Sequence, residues 1–83
     1  MDLIRMPIAQ REEILKQVRD TYKEGTVIEL VEMNDPYSKI PVGTEGVVSF
    51  VDDAGTIHVK WKNGSSLGVV YGVDKVRIKN TPI

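Results

Sequence analysis

Two periodicities divide this chain. Up to Glu24 the apolar residues fall at Ile14, Leu15, Val18 and Tyr22, the spacing of one helical stripe with polar residues around it. This predicts a helix over about residues 8–23. Pro7 suits its first turn, where a missing N–H costs nothing, and Gly25 is placed to end it in a left-handed conformation. No Ser, Thr, Asp or Asn directly precedes Pro7, so the N-cap is weak. Isolated helices of this length are marginal, and docking has to supply the rest. The stripe fits a cover over an open face of a sheet; its alternative use is a partner-binding helix.

From Thr26 onward the period becomes two. Ile28 and Leu30 alternate with Glu29, and Ile57, Val59 and Trp61 face one way while His58 and Lys60 face the other. Between them, Val47 or Val48 together with Phe50 is expected to point inward. Turn signals separate the runs: Asp52-Asp53-Ala54-Gly55, Asn63-Gly64 and Gly72-Val73-Asp74. Gly43 and Gly46 at the start of the second run are read as a bulge or sharp corner. Met33 to Val42 holds two prolines after an Asn-Asp opening, which predicts a structured loop. Strands are expected at 26–32, about 47–51, 56–61, 67–71 and 76–79, with 80–83 fraying. This order, with one long loop and tight later turns, is that of a mainly β, five-stranded Src-homology-3-like small barrel carrying an N-terminal α-helix. The arm and helix occupy 1–24 and the barrel 25–83.

Composition narrows the chemistry. The chain has 83 residues, enough for one core, and it has no cysteine, so disulfides, thiolate metal sites and cysteine nucleophiles are excluded. No apolar run reaches the roughly 18 residues of a membrane span. The start, MDLIRMPIAQREE, is charged too early for a secretory signal, so the cytoplasm is the expected compartment. Net charge is −1, but it is unevenly distributed. Residues 25–55 set Lys39 against Glu29, Glu32, Asp35, Glu45, Asp52 and Asp53; residues 56–83 set Lys60, Lys62, Lys75, Arg77 and Lys79 against Asp74. In a small barrel the two halves interleave, which favours cross-strand pairing over a continuous basic face.

An enzyme needs an activated nucleophile, an acid–base pair or a metal site. The single His58 faces outward beside Lys60, Asp52-Asp53 fits turn chemistry, and the glycines sit at turns and corners. Catalysis, a metal and a cofactor are therefore not expected. Binding has two candidate surfaces. Asp35, Pro36 and Tyr37 in the long loop, with Tyr71 before the last turn, would flank a shallow groove for a protein partner. His58, Lys60 and Lys62 of the third strand, with Arg77 and Lys79 of the last, would contact phosphates. With no aromatic side chain expected among those charges and a net charge of −1, nucleic-acid binding would be weak and steeply salt-dependent.

Several segments also resemble a known family. Gly25-Thr26, Asn34-Asp35-Pro36-Tyr37, Pro41-Val42-Gly43-Thr44-Glu45-Gly46, Asp52 through Val59, and Trp61 through Gly68 are similar to domain-of-unknown-function family 4314. The likeness runs from about Gly25 to Lys79. It implies a small domain of phages, plasmids and conjugative elements, mainly of Gram-positive bacteria, with no assigned activity and no catalytic residues to carry over. The expected function is thus a non-enzymatic interaction module of a mobile element, binding a host or element-encoded protein. The alternatives are a nucleic-acid-binding accessory, or an inhibitor of host defence that masks a protein or sequesters a nucleotide.

Overall fold

A computed structural model describes residues 5–34 and 40–81. One helix, α1 (Ile8–Thr21), precedes five strands: β1 (Val27–Glu32), β2 (Glu45–Val51), β3 (Thr56–Trp61), β4 (Val69–Val70) and β5 (Lys75–Asn80). All ladders are antiparallel and form one sheet in the order β4-β3-β2-β1-β5. Among the described residues the sheet is open, with β4 and β5 as its edges.

Alternation places Ile28 and Leu30 of β1, Val48 and Val51 of β2, Ile57, Val59 and Trp61 of β3, and Val69 of β4 in one buried cluster. Leu15 and Val18 of α1 belong to the same cluster, and Ile14 and Tyr22 pack against it half-buried. The helical stripe therefore covers the sheet. Each fully buried aliphatic side chain contributes about 1.5–3 kcal/mol, which offsets the weak start of the helix. That start has no side-chain cap, and Pro7 sits at the N-cap, its carbonyl accepting from Arg11 N–H at 2.9 Å.

The helix ends at Thr21, earlier than its apolar stripe and well before Gly25. Thr21 Oγ1 donates to Gln17 O at 2.8 Å, a back-bond that weakens continuation of the helix. Gly25 does take a positive φ, of 90°, but it serves the turn into the sheet: its N–H donates to Val48 O at 2.9 Å, and Val48 N–H to Thr26 O at 2.9 Å.

Gly46 marks neither a bulge nor a corner. A Cβ there would lie 2.5 Å from Val59 Cγ1 and 2.8 Å from Trp61 Cε3, so the position is reserved for those two side chains. The Trp61 indole has little room to yield, because its Nε1 donates to Leu67 O at 2.8 Å. The bulges lie elsewhere, between Val48 and Phe50 against β3 and, against β5, between Val27 and Ile28 and between Leu30 and Glu32. The first overturns an expectation. Val48 points inward, but the extra residue turns Phe50 outward, and it is 55% exposed.

β4 is shorter than the predicted 67–71, because its flanks bond elsewhere. Ser65 O accepts from Trp61 N–H at 2.9 Å, Ser65 Oγ accepts from Leu67 N–H at 3.2 Å, and Asp74 Oδ2 takes Val70 N–H at 2.9 Å. β5 is longer than predicted: Asn80, expected to fray, pairs with Val27.

Candidate functional site

The first candidate lies where the sheet is open. Tyr22 from the end of α1, Val31 of β1, Tyr71 after β4, and Val76 and Arg77 of β5 help to line a cleft of about 450 Å³. Tyr71 is half-buried and packs against the core, as does Tyr22. Burial raises the Tyr22 phenol above its ordinary pKa, and the neighbouring Tyr71 adds to the effect, so Tyr22 remains a hydrogen-bond donor at neutral pH.

Asp74 fixes the turn beneath Tyr71. Its Oδ2 holds Val70 N–H, and its Oδ1 accepts from Asn34 N–H at 2.9 Å. Asn34 Nδ2 donates in addition to Val73 O at 2.6 Å. The base of the long loop is thereby fastened at Asn34 to the turn that carries Tyr71. Asp35, Pro36 and Tyr37 lie outside the described residues. Tyr22 was not among the sequence candidates: in the helical stripe it is indistinguishable from a core residue.

The basic candidates are not contiguous along the sheet. His58, Lys60 and Lys62 are on β3 or just after it, whereas Arg77 and Lys79 are on β5, with β2 and β1 between. Lys62 Nζ lies 3.0 Å from Glu45 Oε1, Lys79 Nζ 3.5 Å from Glu29 Oε2, and Lys75 Nζ 3.5 Å from Glu32 Oε2. Glu29 and Glu45 are register partners across β1 and β2. Like charges directly opposite repel, and the lysines on either side offset this. The hydrogen bond from Lys62 and its charge hold Glu45 below its ordinary pKa against an opposing effect of desolvation, with a lesser contribution from Lys79. The uneven charge of the two halves is thus largely taken up in cross-strand pairs. Lys60 and Arg77 have no ion-pair partner among the described residues.

His58 is part of a small built cluster. Its Nε2 is 2.9 Å from Asp52 Oδ2, and the other Asp52 oxygen accepts the backbone N–H of Ala54 at 3.0 Å and of Thr56 at 2.9 Å. Partial burial acts to raise the Asp52 pKa, but the hydrogen bonds from His58, Thr56 and Ala54 together outweigh it and bring it below the ordinary value. Asp52 is thus turn chemistry, as its sequence setting implied, with an added side-chain partner. On the other side of the imidazole the Phe50 ring stacks nearly parallel, with 4.2 Å between centroids and 8° between planes.

Among the described residues no group of His, Asp and Glu is arranged to hold a metal ion, and no helix is long and apolar enough to cross a membrane. The sequence profile of the family described as Domain of unknown function (DUF4314) matches residues 11–79. The chain belongs to this family. The match includes most of α1 as well as the sheet, so the helix is part of the DUF4314 unit rather than an appendage. No characterised protein and no solved structure gives a significant match.

Proposed function

We propose that this DUF4314 chain is a non-enzymatic interaction module that binds a protein partner through the tyrosine-lined cleft at the open side of its sheet. The observation that carries this is the position of the cleft. It lies beside an edge strand, has Tyr22 and Tyr71 in its lining, and adjoins the turn to which the base of the long loop is fastened. Tyrosine suits such a place because it offers apolar area at low entropic cost and a hydroxyl for orientation. Arg77 also lines the cleft and forms no ion pair among the described residues, while its register partner on β1 is Glu29. The strand order β4-β3-β2-β1-β5 supports a Src-homology-3-like arrangement whose open side, between the edge strands β4 and β5, is the binding side. A setting in a phage or other mobile element rests on the family resemblance of the quoted motifs.

The test is comparative affinity capture from host cells followed by binding titration of what is retained. Wild-type protein and Lys60→Glu should retain the same partner, and Tyr71→Ala should lose at least about tenfold in affinity while keeping its cooperative unfolding. Equal retention by Tyr71→Ala would place the partner elsewhere and end this reading.

A further inference from the structure

The outward turn of Phe50 creates a surface that alternation in the sequence did not foresee. A ring that is 55% exposed sits on the outer face of a central strand, flat against an imidazole that Asp52 holds in place. Two residues along β3, Lys60 pairs in register with the exposed Val47 of β2 and has no ion-pair partner among the described residues. Beyond the ring, Phe50 also lines a groove of about 500 Å³ with Ser49, Arg19, Tyr22, Lys23 and the acidic Glu24. Arg19 is tied to Asp53 at 2.8 Å, whereas Lys23 has no ion-pair partner among the described residues. An oriented π-face therefore shares the outer face of the hairpin with Lys60 and a groove with Lys23.

We propose that this outer face is a binding site for single-stranded nucleic acid. A base stacks on Phe50, His58 and Asp52 hold that ring in orientation, and Lys60 and Lys23 contact the flanking phosphates. Planar ring on planar ring is the sequence-tolerant contact by which sheet surfaces take unpaired bases. A duplex keeps its bases stacked inside and has no face to offer. Arg77 and Lys79, two strands away on β5, take no part. With only two phosphates neutralised and a net charge of −1, binding derives more from the base than from the backbone. The logarithmic salt slope should then be shallow, roughly −1 to −2.

Fluorescence anisotropy with the full chain tests this, using labelled oligothymidylate and oligouridylate of about 12 nucleotides and an abasic strand of the same length at roughly 20 mM salt. The expected result is binding of a base-carrying strand with at least about tenfold loss for the abasic strand and for Phe50→Ala, and retention by Phe50→Trp. Lys60→Gln should make the salt slope shallower by about one phosphate equivalent. Whichever of the deoxy and ribo strands binds more tightly identifies the nucleic acid. No binding of either, equal binding of the abasic strand, or full affinity in Phe50→Ala would each overturn the proposal. Thermal unfolding of the exposed-site variants separates loss of the site from loss of the fold. Tyr71→Ala should leave oligonucleotide binding unchanged, so this result and that for the protein-binding cleft stand or fall separately.

Discussion

The two faces of the β2–β3 hairpin are made by the same thirteen-odd residues and obey opposite rules. Inward, Val48, Ile57, Val59 and Trp61 are packed so closely that Gly46 has no space for a methyl group. Outward, a phenyl ring stands mostly in water against an imidazole. The inner face follows from the period of two alone. The outer face follows from one bulge at Ser49, which lets β2 bury both Val48 and Val51 and leaves Phe50 outside. Burial fixes the first face. The second is held by a side-chain chain from Asp52 through His58 to Phe50, and that kind of investment in an exposed ring is what points to binding.

This contrast can be broken most directly at Gly46. Gly46→Ala adds one methyl against Val59 and the hydrogen-bonded Trp61, and overpacking of this kind costs roughly 1–3 kcal/mol. Urea unfolding should show the midpoint falling by that equivalent with the slope unchanged. An unchanged midpoint would mean that the inner face has slack. Removing a whole ring from the outer face should cost less: Phe50→Ala is expected to lose about 1 kcal/mol, mainly the stacked pair and the part of the ring that is covered. A larger loss in Phe50→Ala than in Gly46→Ala would reverse the assignment of core and surface and remove the basis for a stacking site.

How much of this was readable beforehand follows the same division. Ile57, Val59 and Trp61 declare their face because nothing interrupts β3, and Gly55, Gly64 and Gly72 declare their turns because each takes a positive φ. The Val47-Val48-Ser49-Phe50-Val51 run is different. Its apolar residues fit two registers, and the choice depends on ladder bonds to β3 and on Val48 pairing back to Thr26, which no property of β2 itself encodes. The site was legible in the same uneven way. Tyr71 is marked by its place before the last turn, and it does line the cleft; its expected companions Asp35, Pro36 and Tyr37 lie outside the described residues. Tyr22 could not be singled out, because in the helical stripe it reads as a core residue like Leu15 and Val18. The basic residues were visible as charges, but only the register, Glu29 against Glu45 with Lys79 and Lys62 beyond them, showed which were already engaged.

The smallest expected effect tests the support of the outer ring rather than the ring itself. Asp52→Asn keeps an oxygen for the Ala54 and Thr56 amides but removes the charge that faces His58. The Asp52 pKa in the folded chain lies below its ordinary value of 3.8, so the folded state holds this proton less tightly than the unfolded state does. Its contribution to stability is therefore complete above pH ~4 and is lost as pH falls through the depressed folded value. The pair is partly exposed and screened, so the wild type should exceed Asp52→Asn by less than about 1 kcal/mol at neutral pH. That difference should close as pH falls below about 4, measured as paired unfolding midpoints across the acid range. A gap that stays constant into acid would show that the carboxylate charge does not hold His58. The Phe50 platform would then rest on ring stacking alone.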